Sequence, residues 1–152
     1  MRLRMNSSTL SLRNRALGLL ARREHSRAEL LHKLAPHTED AAEITALLDD
    51  FEQQGFLSDA RFAVEFVRAK SRRFGAVHIA YVLREKGVAQ DLIAAALCSI
   101  ESGELERART VWQAKFGTPP LDLAQRAKQT RFLIGRGFSG EVVRRVLRQN
   151  EE

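Results

Sequence analysis

Lys86-Gly87-Val88-Ala89-Gln90-Asp91-Leu92-Ile93-Ala94-Ala95-Ala96-Leu97 aligns without a gap on Arg136-Gly137-Phe138-Ser139-Gly140-Glu141-Val142-Val143-Arg144-Arg145-Val146-Leu147. The offset is 50 residues, and upstream Val82-Leu83 falls on Phe132-Leu133. A fainter copy lies about 49 residues earlier, where Leu30 and Leu34 fall on Ile79 and Leu83. In both clear copies a cation and a glycine end one helical pattern, and another begins a few residues later. A helical period near 50 residues predicts three tandem three-helix modules. Each is too small to hold a core comfortably alone, so neighbours stack.

Composition agrees. Ala, Leu, Arg and Glu dominate the 152 residues, and there are one Tyr and one Trp, which points to an all-α chain. Spacing predicts helices near 12–23, from Ser26 onward, and from Glu39 to Gln54 in the first module. Ser26 with Glu29 three residues on has the capping-box spacing. Ile44, Leu47, Leu48 and Phe51 make one apolar stripe, and Gly55 stops it. In the second module Ser58 or Asp59 caps a helix that Gly75 breaks, a second ends at Gly87, and a third runs from Gln90 to Glu101. The third module has helices over 104–116, after a cap at Thr118-Pro119-Pro120, and over Ser139 to Gln149. The expected organisation is a loose arm over 1–10 and modules over 11–56, 57–101 and 102–152.

Charge follows the repeat. The net charge of +6 favours an anionic partner, either nucleic acid or an acidic protein face. Residues 1–34, 61–86 and 107–152 are net basic, and 35–60 and 87–106 carry no Lys or Arg at all. Salt bridges between blocks account for such alternation, and so does a segmented binding surface. Asp49, Asp50 and Glu52 crowd the end of a helix where the macrodipole disfavours them, so they are expected to pair with Arg61 or Arg68 of the next module, a partner surface being the alternative. The longest apolar run, Leu92 to Cys98, is far short of a membrane span. A single cysteine, Cys98, fits a reducing cytosol and reads as a buried, inert thiol.

Enzyme chemistry finds no constellation. His25, His32, His37 and His78 lack paired-ligand spacing and read as surface or capping residues, so no metal or other cofactor is expected. Gly135-Arg136-Gly137 ends a helix, where a phosphate-binding loop would start one. The basic clusters carry more. Arg68, Lys70, Arg72 and Arg73 put four cations into six residues, more than helix capping needs. Arg84 and Lys86 end the next helix, and Arg144, Arg145 and Arg148 share one side of the last. A helix-turn-helix reader in every module is disfavoured, because the third helix is acidic in the first module and has no Lys or Arg in the second.

Several segments together resemble the RecX family of recombination regulators. They are Arg15-Ala16-Leu17 through Leu30, Gly55-Phe56-Leu57-Ser58-Asp59-Ala60-Arg61-Phe62-Ala63, Leu83 to Val88, and Arg131-Phe132-Leu133 with Arg136-Gly137-Phe138-Ser139. Ala76 departs from the Pro or Ser expected after the glycine. The resemblance implies a curved, elongated rod of three modules. It also implies a monomeric, cytoplasmic, non-enzymatic negative regulator that lies in the groove of the RecA–DNA filament and inhibits its recombinase, ATPase and co-protease activities. Weak binding to single- and double-stranded DNA is a further family trait. The family offers no residue-level site, so the expected contacts rest on charge: Arg68, Lys70, Arg72, Arg73, Arg84, Lys86, Arg131, Arg136, Arg144, Arg145 and Arg148. The alternative is a stand-alone helix-turn-helix repressor reading DNA with Ser139–Gln149.

Overall fold

A computed structural model describes residues 10–149, so the arm expected over 1–10 lies almost wholly outside the described residues. The chain is all-α: α1 (Leu12–Arg22), α2 (Arg27–Leu34), α3 (Ala41–Gln53), α4 (Asp59–Lys70), α5 (Ala76–Glu85), α6 (Gln90–Leu97), α7 (Glu104–Lys115), α8 (Leu123–Gly135) and α9 (Gly140–Gln149). They form three tandem modules, α1–α3, α4–α6 and α7–α9, in an elongated row. Each module has its own core. Leu30, Leu34, Ile44, Leu48 and Phe51 fill the first, and Phe62, Val67, Ile79, Leu83 and Ile93 the second. Trp112, Leu133, Phe138, Val143 and Val146 fill the third. The repeat therefore buries equivalent positions: Ile93 and Val143, aligned at 50 residues, are 0% and 1% exposed.

Local chemistry sets the helix starts. Ser26 accepts the Glu29 N–H and Glu29 accepts the Ser26 N–H, each at 3.1 Å, which completes the capping box. Ser58 and Ser139 accept from Arg61 and Val142 in the same way. Three local expectations need correction. The cap of α8 is Asp122, which accepts the Gln125 N–H at 2.8 Å, and not Thr118 before the two prolines. Cys98 is exposed, because α6 ends at Leu97 and Cys98–Gly103 tightens into a 3₁₀ helix that turns the thiol off the apolar stripe. His25 is buried, not on the surface.

The two joints between modules use one contact scheme. At the first, the α2 N-terminus docks on the α5–α6 turn: the Ser26 hydroxyl donates to the Lys86 carbonyl at 2.8 Å, and Asp59 accepts the Arg27 N–H at 2.8 Å. At the second, the α5 N-terminus docks on the α8–α9 turn: Gly75 N–H donates to the Arg136 carbonyl at 2.8 Å, and Glu104 accepts the Ala76 N–H at 3.1 Å. In each, the orphan N–H opening a middle helix is met by the first acidic residue of the following module. Gly87 and Gly137 hold φ values of 80° and 93° at these turns. A Cβ on Gly137 would lie 2.5 Å from the His78 backbone nitrogen, so glycine serves both the turn and the close approach. Arg107 locks the second joint further, donating to the carbonyls of Ser71 at 3.0 Å and Ile100 at 2.6 Å.

Candidate partner-binding surface

Module one pairs Arg13, Arg23 and Arg27 with its own carboxylates. Arg27 pairs with Asp49 at 2.8 Å and Glu52 at 2.6 Å, and Arg13 pairs with Asp50 at 3.0 Å. The acidic end of α3 thus answers arginines of its own module, not Arg61 or Arg68 as expected. Arg61 instead crosses to Glu24 at 2.9 Å, and Arg68 pairs with Glu65 on its own helix at 3.1 Å. Periodicity places these acids on a helix side, but tertiary packing chooses which cation reaches them.

Modules two and three keep most of their arginines unpaired. Arg72, Arg73, Arg84, Arg131, Arg144, Arg145 and Arg148 are exposed and make no ion pair among the described residues. Arg144, Arg145 and Arg148 ride the outer side of α9, whose inner side buries Val143, Val146 and Leu147. Lys70 is exposed, with its ammonium 5.8 Å from the Phe66 ring centroid.

The two remaining expected cations sit in the joints. Lys86 lies 3.3 Å from Glu29 and is itself half-buried. Arg136 is flanked by Phe74 and Phe132, its guanidinium 5.2 Å and 5.1 Å from their ring centroids. Both residues occupy the position before the joint glycine, and each lends its carbonyl to the neighbouring module. Glu29 also receives Arg23 at 3.0 Å. Burial, the largest influence, pushes the Glu29 carboxyl up. The hydrogen bonds from Arg23 and the Ser26 N–H and the charges of Lys86 and Arg23 together outweigh it, and the pKa falls to about 2.

Beside this network a cleft of about 810 Å³ opens between modules one and two. Its floor is apolar, with Phe62, Phe66, Ala69, Phe74 and Val82, and its rim carries Arg22, Arg23, Lys70 and Lys86. Phe74 stacks on His78, their ring centroids 4.3 Å apart. Sequence reasoning missed Arg22, Phe74 and His78 as a group. They come from two modules, and only a doublet of arginines at the end of α1 hinted at one of them. It also missed His25. Lys33 Nζ donates to His25 Nε2 at 3.0 Å, so Nδ1 carries the proton and donates to the Arg23 carbonyl at 3.0 Å. Burial above all holds this imidazole below its ordinary pKa, and the charges of Arg23 and Lys33 add to it.

Comparison with known proteins agrees with this architecture. Family descriptions of the first, second and third three-helix domains of RecX match residues 13–51, 58–97 and 102–147. The regulatory protein RecX of Leptothrix cholodnii is 52% identical over 143 residues, 94% of this chain and 91% of that one. The corresponding protein of Ralstonia nicotianae is 46% identical, over 91% of this chain and 87% of that one. The crystal structure of RecX from Lactobacillus salivarius superposes with a TM-score of 0.78 over 92% of this chain and 94% of that one, at 19% identity. That likeness speaks to the fold. No helix of the described residues is long and apolar enough to cross a membrane.

Proposed function

This chain belongs to the RecX family of regulatory proteins, and we propose that it is a non-enzymatic negative regulator of the RecA recombinase. It acts by lying along the RecA–DNA filament. The observation that carries this reading is the uneven neutralisation of charge: Arg13, Arg23 and Arg27 of module one are paired with carboxylates of that module, while seven arginines of modules two and three face solvent without a carboxylate. A row of modules with repeated cationic positions suits a periodic anionic polymer, because many weak contacts add along its length. Occupying the filament groove obstructs strand exchange, ATP hydrolysis and co-protease docking, and asks no chemistry of the regulator.

Within this reading Arg72, Arg73, Arg84, Arg131, Arg144, Arg145 and Arg148 make the primary contacts, together with Arg68 and Lys70. Lys86 and Arg136 contribute through the joints they hold. The protein acts as a cytoplasmic monomer, and its affinity for free single- or double-stranded DNA is weak and salt-sensitive. The test is RecA-catalysed ATP hydrolysis on single-stranded DNA. Substoichiometric protein is expected to slow it, and an unchanged rate refutes the regulator. A second reading, a stand-alone DNA-binding repressor, draws on the three unpaired arginines of α9. It predicts tight, sequence-dependent duplex binding without RecA. Gel shifts with specific and random duplexes across salt separate the two.

A further inference from the structure

We propose that the cleft between modules one and two is a docking site for an acidic peptide segment of a partner protein, one apolar side chain entering the floor between flanking carboxylates. The charge at the rim selects the occupant. Glu29 lies beneath Arg23 and Lys86 and pairs with both. The two lining carboxylates are likewise engaged, Glu24 by Arg61 and Glu65 by Arg68. What remains is Arg22 on the module-one wall and Lys70 on the module-two wall, both exposed and without an ion pair among the described residues. Two separated cations over an apolar floor match a segment in which carboxylates bracket a hydrophobic residue.

The floor argues against a single-stranded nucleic acid as occupant. Base stacking needs an open ring face. Phe74 is stacked by His78 and lies under the Arg136 guanidinium, and Phe66 is flanked by Phe62 and the Lys70 ammonium. At about 810 Å³ the cleft is at the larger end of ligand sites, roughly 300–1,000 Å³, enough for a short peptide.

Fluorescence polarisation on the full chain tests this. The probe is a fluorescein-labelled octapeptide with a central phenylalanine–leucine pair flanked by glutamates. Saturable binding is expected, weakened at least tenfold when serines replace the apolar pair and abolished when lysines replace the glutamates. Lys70→Glu and Arg22→Glu, both at exposed positions, are each expected to weaken it at least fivefold. Ala69→Trp, which fills the cleft and leaves every charge in place, is expected to abolish it with circular dichroism unchanged. Equal binding of the serine peptide would show general charge attraction and overturn the site. So would displacement of the probe by oligo-dT with loss of oligo-dT binding in Ala69→Trp, which would assign the cleft to nucleic acid. Should Ala69→Trp misfold, the two charge reversals still decide: unchanged binding in both refutes the site. The assay contains no RecA, so its result is separate from that of the ATPase test.

Discussion

Gly75 and Gly137 approach so closely that a Cβ on Gly75 would lie 2.5 Å from the Gly137 carbonyl carbon. The backbone of α5 thus meets the α8–α9 turn directly, and the Gly75 N–H reaches the Arg136 carbonyl at 2.8 Å. The row of modules is held by main chain at this point, where side chains have little room to adjust.

Substitution at the joint should therefore cost more than at a free turn. Gly137→Ala meets a positive φ of 93° and the His78 backbone together. The φ penalty is about 1–2 kcal/mol and overpacking adds about 1–3 kcal/mol. Gly55→Ala has a similar φ of 80° but nothing within 4 Å of its Cβ, so only the first penalty of about 1–2 kcal/mol applies. Urea denaturation of the two variants checks the difference. Equal losses would mean that the joint gives way without cost.

Acid should weaken the first joint through Glu29. Its folded pKa of about 2 lies below the unfolded value near 4.5. The stability it supplies is complete above pH 4.5 and is lost as pH falls through the window toward 2. The difference corresponds to at most about 3 kcal/mol. Glu29→Gln is expected to lower stability at pH 7 and to flatten the pH dependence across that window, as read from chemical denaturation at a series of pH values.

His25 acts in the same direction at higher pH. Its folded pKa is depressed by burial, so the unfolded chain takes up a proton first as pH drops below about 6.5. Stability present above that value declines as the imidazole approaches its folded pKa. In an NMR titration the His25 ring is expected to titrate below the ordinary histidine value of 6.5. Titration at that value would show that burial leaves the imidazole unaffected.

The single tryptophan reports on module three. Trp112 Nε1 donates to Gln129 Oε1 at 2.8 Å, and Gln129 Nε2 donates to the Thr118 carbonyl at 3.1 Å. Gln129→Leu leaves a buried indole N–H without a partner, a loss of about 1–3 kcal/mol. Thermal unfolding followed by tryptophan fluorescence should show a lower midpoint, with the far-ultraviolet circular dichroism of the folded state retained.

Charge reversal on α9 should separate binding from folding. Arg144→Glu with Arg145→Glu alters exposed, unpaired positions, so stability should move by no more than about 0.5 kcal/mol per site. Under the RecA reading, the concentration needed to half-inhibit ATP hydrolysis rises at least tenfold at about 0.1 M salt, where the screening length is about 10 Å. Unchanged inhibition would remove α9 from the contact surface.

The sequence by itself determined the helices, their repeat near 50 residues and the inward positions such as Ile44, Leu48 and Phe51. Those follow from local rules: turn residues, caps and a period of 3.6, all readable within a few turns. The capping box at Ser26 was legible for the same reason, as were the cationic clusters. Which cations stay free was not. Lys86 and Arg136 look like Arg84 and Arg131 in one dimension, yet the first two are held in the joints. Arg27 meets Glu52 across 25 residues, and Ser26 meets Lys86 across 60. Periodicity carries no information about such distances. They are set by how the glycine turns let one module's backbone settle against the next, so the tertiary structure alone decided the joints, the cleft and the exposed charge.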